Sequence, residues 1–244
     1  MALDEQATKY RSLDDWFKTP QGMRASIAFA TELGQISEHL HGEKLLQLGS
    51  CGDNVWLSFL RYRHKWVATP YFDSQTPTLV TSLNSLPIER DSIDCIIAPL
   101  TFEAFARDKN PIDEIDRVLK PMGYVVFFGI NPLSFWGFSL RWGHLGCFGS
   151  ASSTLTPSFS VKQAMLNRDF RQCSHSSFYY IPPFKNYALI QKMEFLNEVG
   201  KMVCPFPAGF YCFIVQKYQY CQPSLVGRVA EGDILLQSSI PMKI

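Results

Sequence analysis

Apolar positions along the chain follow two rhythms, one helical and one of buried strands. Between Arg24 and His41 they recur at Ile27, Ala28, Ala30, Leu33, Ile36 and Leu40, a roughly helical spacing. Shorter apolar runs follow at 45–48 ("LLQL"), 66–69 ("WVAT") and 78–83 ("TLVTSL"), read as three strands, with a helix expected over 54–62. "SIDCIIAPL" (92–100) and "YVVFFGI" (124–130) are apolar nearly throughout, as strands covered on both faces are. Between them Ile112, Ile115, Val118 and Leu119 share one helical face, while Asp113, Glu114, Asp116 and Arg117 fall elsewhere. Asn110 supplies an N-cap and Pro111 a favoured first residue, and "PMG" at 121–123 breaks the helix.

Strand, helix, strand in this order implies a right-handed crossover within a parallel sheet. Downstream, 160–168 and 187–199 read as helices and "FYCFIVQKY" (210–218) as the final strand. The fold class is α/β, a single doubly wound, Rossmann-like domain. It is expected to span residues 1–222, with a helical lead-in over 1–43 and a loop or lid insertion over 131–160. A tail of weak pattern covers 223–244.

Composition narrows the function. With 244 residues, 46% apolar and 18% charged, the chain can build one substantial core. Its net charge of +1 gives no general pull toward nucleic acid. The seven cysteines are scattered, with no C-x-x-C pair, so neither a zinc site nor a disulfide framework is expected and a cytoplasmic setting is the simplest. The long uncharged run from Gly123 to Leu140 contains Asn131 and Pro132, which argues for a strand and loop and not a membrane span.

The chemistry begins at "LGSCGDN" (48–54), a strand that ends in a glycine-containing turn, as nucleotide-binding loops do. The G-x-G-x-x-G spacing of dinucleotide-binding loops is absent, which speaks against a nicotinamide-dependent oxidoreductase. The segment "LPIERDSIDCIIAPLTFEAF…NPIDEIDRVLKPMGYVVFFGINPLSFWG" resembles the class I S-adenosylmethionine-dependent methyltransferases. More narrowly the chain resembles a bacterial group labelled YafS-like. The shared elements are "WF-TP-G" (Trp16, Phe17, Thr19, Pro20, Gly22), "LLQLG" (45–49), "NPLSxWG" (131–137) and "GFY" (209–211).

The resemblance implies a seven-stranded, mostly parallel sheet whose last strand is antiparallel. It also implies S-adenosylmethionine lying across the carboxyl ends of strands one, two and four. Carried over, the cofactor-binding positions are Gly49, Ser50, Cys51 and Gly52 after strand one, and Thr69 at the end of strand two. Ser82 and Leu83 follow strand three, and Pro99 and Leu100 end strand four. Three positions depart from the family: Gln47, Thr69 and Ser82 stand where acids commonly hold the cofactor. Each missing carboxylate removes a charge-assisted hydrogen bond worth ~1.5–3 kcal/mol. Asp53, Asp73 and Glu103 are the acids from nearby loops able to substitute.

Cys51 reads either as a thiol activated at a helix N-terminus or as a small buried filler. Phe135 and Trp136 line a substrate-side loop or close the core. His144, His175, Tyr179 and Tyr180 are the general-base candidates, and none stands out as catalytic. The basic run "RYRHK" (61–65) reads as the solvated end of the first crossover helix. Two functions are open at this point. One is methyl transfer to an unidentified acceptor, a small molecule or a protein. The other is a methyltransferase-like binding or scaffold module that has lost cofactor affinity. The sequence does not fix the oligomeric state.

Overall fold

Seven strands hydrogen-bond into one sheet in the order β3-β2-β1-β4-β5-β7-β6. They are β1 (Lys44–Leu48), β2 (His64–Thr69), β3 (Leu79–Val80), β4 (Ile93–Pro99), β5 (Leu119–Ile130), β6 (Phe170–Phe178) and β7 (Phe210–Lys217). This computed structural model describes residues 2–73, 79–105, 111–149, 155–184, 187–203 and 207–218. Strands β1 to β5 pair parallel to one another, and β7 runs antiparallel to both β5 and β6. The sheet is therefore α/β and mostly parallel, with its last strand reversed. Its order changes direction at β1/β4, the place where open α/β sheets bind ligands beyond the strands' carboxyl ends.

The central strands are buried because they are apolar: Leu45, Leu46, Cys95, Ile96, Ile97, Val125, Val126 and Phe127 are fully buried. Helix α4 (Ile112–Val118) buries Ile112, Ile115 and Val118, as its periodicity requires. Pro111 directly precedes the helix, and Asn110 lies outside the described residues. Two helices precede the sheet, α1 (Ala2–Phe17) and α2 (Pro20–Ile36). The Thr19 hydroxyl caps α2 by accepting the Gly22 N–H at 3.2 Å, with Pro20 opening the helix. A side chain at Gly22 would meet the Trp16 carbonyl at 2.1 Å, so the "WF-TP-G" element encodes a tight helix-to-helix corner.

Several expected elements differ. The helix expected over 54–62 is only a 3-10 turn, Val55–Ser58, because α2 packs on it and takes that layer of the fold. "RYRHK" is thus no helix end: Tyr62 is buried, and His64 and Lys65 open β2. The third strand shrinks to two residues. "PMG" does not separate helix from strand but forms a bulge inside β5, where the pairing with β4 shifts between Ile93 and Cys95. The helix expected over 187–199 is two, α7 (Tyr187–Lys192) and α8 (Phe195–Val203). That over 160–168 is α6 (Ser158–Leu166), and 131–149 contains α5 (Phe135–Arg141) with a 3-10 turn at Gly146–Phe148. Strand β6 was not expected, because its residues alternate between exposed and half-buried polar side chains. The tail 223–244 lies outside the described residues.

Candidate functional site

The loop after β1 is held from within. Gly49 and Gly52 take φ of 90° and 59°, in the left-handed region that glycine enters without strain. The Gly49 N–H donates to the Ala68 carbonyl at 2.7 Å, tying the loop to the end of β2. Gln47, where an acid was expected, is fully buried. Its amide donates to the Gly49 carbonyl and to Asn54, and its oxygen accepts the Trp56 indole N–H at 2.8 Å. Asn54 in turn accepts the Cys51 N–H at 3.0 Å. Gln47 therefore shapes the loop, with both its amide nitrogen and its oxygen engaged by the chain.

Helix α1 covers this loop with one face. A Cβ added at Gly49 would lie 2.4 Å from the Tyr10 ring, so the ring rests directly on the glycine. One turn later the Asp14 carboxylate accepts the buried Gly52 N–H at 2.8 Å and pairs with Lys18 at 2.7 Å. Phe17 packs against Gly52.

The other strand ends meet the same region. Thr69 is buried and its hydroxyl donates to the Tyr71 carbonyl at 2.7 Å. The Thr69 carbonyl accepts the Thr81 N–H at 2.8 Å, which brings Ser82 and buried Leu83 to the far edge of the site. Pro99 ends β4, and Leu100 turns the chain with φ of 49° into α3 (Thr101–Ala104). Glu103 on α3 is fully buried, and one of its oxygens accepts the N–H of Ile130, the last residue of β5, at 3.0 Å.

What sets this end of the sheet apart is its unpaired polar atoms. Among the described residues here, the Tyr71 hydroxyl and Glu103 Oε2 have no hydrogen-bond partner, and the buried hydroxyls of Tyr10 and Thr101 have only each other. The Tyr10 hydroxyl faces that of Thr101, with Cys51 and Glu103 close enough to act on it electrostatically. Leaving such atoms unpaired costs about 1–3 kcal/mol each. Burial dominates the titration of all four neighbours. It pushes the Tyr10, Tyr71 and Cys51 groups up, and raises the Glu103 carboxyl to about 8. The cluster is mostly uncharged at neutral pH, and it has donors and acceptors to offer a polar ligand.

The remaining candidates separate cleanly. Asp53 is exposed and Asp73 half-buried, so Glu103 is the suggested acid that the structure brings inside. Cys51 is a buried filler: no α-helix follows it, and burial with nearby Asp14 keeps its thiol protonated. Trp136 closes the core, donating to the Ile181 carbonyl at 2.7 Å, whereas Phe135 is exposed. Tyr179 packs on Trp136 and Phe210, Tyr180 packs on Gly200, and His175 lies exposed in mid-β6 at the sheet's far edge. Burial lowers the pKa of His175, with Lys162 adding to the effect. Tyr179, directly after β6, stands at the same end of the sheet as the strand ends of the site but three strands away from β4. His144 instead lines an open cleft of about 540 Å³ with Ser12, Trp16, Thr19 and Gln21, outside α1.

Sequence reasoning missed Tyr10, Asp14, Tyr71 and Thr101. A signal existed for the first two. Tyr10, Leu13, Asp14 and Phe17 share one helical face, and an acid on an otherwise apolar face needs a buried partner.

Comparison with known proteins agrees with this geometry. Residues 54–127 match the methyltransferase-domain family. No curated protein matches. A solved S-adenosylmethionine-dependent methyltransferase from Thermotoga maritima is 14% identical with a TM-score of 0.59, over 86% of this chain and 98% of that one. One from Archaeoglobus fulgidus is 12% identical with a TM-score of 0.54, over 78% and 93%. Geranyl diphosphate C-methyltransferase from Streptomyces coelicolor A3(2), solved with S-adenosyl-L-homocysteine, is 12% identical with a TM-score of 0.53, over 77% and 78%. The chain thus has the fold of the S-adenosylmethionine-dependent methyltransferases and carries the methyltransferase-domain pattern through its first crossovers.

Proposed function

We propose that this protein binds S-adenosylmethionine at the carboxyl ends of β1, β2 and β4 and transfers its methyl group to a small-molecule or protein acceptor. The observation that carries the reading is the group of buried polar atoms with unspent hydrogen-bonding capacity on Tyr10, Tyr71, Thr101 and Glu103, at the sheet's switch point. They fit a ligand that presents hydroxyl, amino and charged groups together. In this reading Gly49, Ser50, Cys51 and Gly52 hold the amino-acid portion of the cofactor, and Thr69 with Tyr71 holds its ribose. Ser82, Leu83, Pro99 and Leu100 enclose the base.

When bound, the cofactor supplies an electrophilic methyl group. The chain's own residues then have to orient the acceptor and exclude water, and positioning alone supplies much of the rate. We read residues 1–222 as one domain, with 131–160 as the segment over the acceptor, and the narrower kinship as YafS-like. The net charge of +1 favours acceptors other than nucleic acid. No helix among the described residues is long and apolar enough to cross a membrane. We read the setting as cytoplasmic, from the scattered spacing of the seven cysteines.

Titration calorimetry with S-adenosylhomocysteine tests the reading. One site with a micromolar dissociation constant is expected. Absence of heat, with no thermal stabilisation at millimolar ligand, would overturn it in favour of a partner-binding module.

A further inference from the structure

With α1 in place, the loop after β1 does not fit the cofactor assigned to it. The Tyr10 ring lies so close to Gly49 that a methyl group added there would sit 2.4 Å from it, which leaves no room for a ligand on that glycine. The N–H groups of Gly49, Cys51 and Gly52 are all engaged, by the Ala68 carbonyl, by Asn54 and by Asp14. The first two acceptors belong to β2 and to the loop itself, and the third reaches in from α1. Asp14 thus puts a carboxylate on the glycine N–H, the chemistry that an amino-acid ligand would offer there. Tyr10, Thr101 and Glu103 have no exposed surface, so their polar atoms at the strand ends are sealed from solvent.

The face that α1 turns inward is poorly suited to permanent burial. Gln6, Lys9, Tyr10, Leu13, Asp14 and Phe17 share it, spaced three and four apart, and all are buried. They include an amide, an ammonium and a carboxylate, whereas the buried residues of α4 are Ile112, Ile115 and Val118. Gln6 Oε1 has no hydrogen-bond partner, and Lys9 pairs with Glu5 of its own helix at 3.1 Å. Such groups give up water on docking and gain little from the body of the protein, which keeps the docked state only weakly favoured. The anchor lies at the other end. Trp16 packs on Trp136, and Phe17 packs on Phe29 and Trp56, so the corner before α2 stays fixed while the earlier turns lift.

We propose that α1 is a self-inhibitory plug: Tyr10 and Asp14 take the seat on Gly49 and Gly52 that the cofactor's amino-acid portion needs, so docking of the helix and binding of the cofactor exclude each other. This rests on the cofactor reading above. A helix that closed over a bound ligand would add affinity, and a plug subtracts it. The apparent dissociation constant is the intrinsic one divided by the fraction of molecules with α1 lifted. A lifted fraction of about one tenth weakens binding about tenfold. Whatever loosens the docked helix therefore tightens binding.

The experiment uses the full chain with S-adenosylhomocysteine as the probe. Calorimetry compares wild type with Tyr10→Ala and with Asp14→Ala. Each variant should bind the probe more tightly, by about three- to tenfold, where loss of a ligand-covering residue would weaken binding. Limited trypsin digestion of the wild type follows cleavage after Lys9 and Arg11 by mass spectrometry. Saturating probe should speed cleavage at these two sites by on the order of tenfold, as the lifted population rises. Equal or weaker binding by both variants, or slower cleavage after Lys9 and Arg11, would show that α1 does not occupy the site. If the probe binds neither wild type nor variants at millimolar concentration, the cofactor reading itself falls and takes this proposal with it. The digestion needs only the wild-type chain, so it decides even where a variant folds poorly.

Discussion

Two acids bracket β4, and the sheet treats them oppositely. Asp94, near the start of the strand, has every oxygen engaged. Oδ2 accepts the N–H groups of Glu43 and Lys44 at 3.0 and 2.8 Å, and Oδ1 pairs with Lys120 at 2.7 Å. Burial alone would raise its pKa, but the Lys120 ammonium and the two backbone donors outweigh burial and hold it below the usual range. Glu103, four residues past the strand's end, is more deeply buried and has one oxygen unpaired, and its pKa rises to about 8. The amino end of the sheet is finished by the chain itself. The carboxyl end is left incomplete, and incompleteness at a topological switch point is what a ligand site looks like before its ligand arrives.

The contrast can be broken by substitution. Asp94→Ala has the largest expected effect. Two backbone N–H groups and a lysine lose their acceptor, which should cost about 2–4 kcal/mol in urea unfolding. Ligand affinity of the folded fraction should be unchanged, and a large change in affinity would mean the two ends are coupled.

Glu103→Gln comes next, and its size depends on pH. The folded carboxyl titrates near 8 and the unfolded one near 4.5, so wild-type stability is complete below 4.5 and declines as pH climbs toward 8. The decline is at most about 1.4 kcal/mol per pH unit. Glutamine has no proton to lose, so the variant should match wild type at pH 4 and exceed it by on the order of 2 kcal/mol at pH 6. Thermal melts across that range check it, and parallel pH profiles would show that Glu103 is not protonated in the fold.

Thr101→Val removes the hydroxyl that faces Tyr10 in the same cluster. Stability in urea unfolding should fall by no more than about 1 kcal/mol, the worth of one hydroxyl–hydroxyl contact. A larger loss would reveal a further internal partner. Smallest of all, His175→Ala should leave ligand affinity unchanged and alter stability by no more than about 0.5 kcal/mol, since the ring is exposed on the edge strand. A clear drop in affinity would relocate the site.

How much the sequence disclosed follows the same division. The β4–α4–β5 unit was legible because burial on both faces forces continuous apolar strands, and the helix between them must show one apolar face. β6 was not, because an edge strand pairs on one side only and tolerates Arg171, His175 and Ser177 along its length. Neighbouring motifs were visible, but their purpose was not. Ser134 of "NPLS" caps α5 by accepting the Gly137 N–H at 3.1 Å, and the Asn131 N–H donates to the carbonyl of Gly209 at 3.0 Å. Motifs 78 residues apart thus brace one corner of the fold.

At the site, the loop glycines and strand ends were legible from the strand–turn pattern. The covering residues were not, since Tyr10 and Asp14 reach Gly49 and Gly52 across nearly forty positions of chain. The apparent loss of acids also reads differently in three dimensions. Gln47 became a loop-shaping amide, and the buried acids beside the loop come from elsewhere, Asp14 from α1 and Glu103 from after β4.

Hydrogen exchange with and without saturating S-adenosylhomocysteine compares the two ends of the sheet in one measurement. The account expects added protection over residues 49–54, 69–73 and 100–104, and lost protection in the stretch of α1 around Tyr10 and Asp14. No change is expected around Asp94 and Lys120. Protection spread evenly, or confined to β6 and the exposed face of α5, would contradict the claim that the carboxyl end of β1, β2 and β4 is the ligand site.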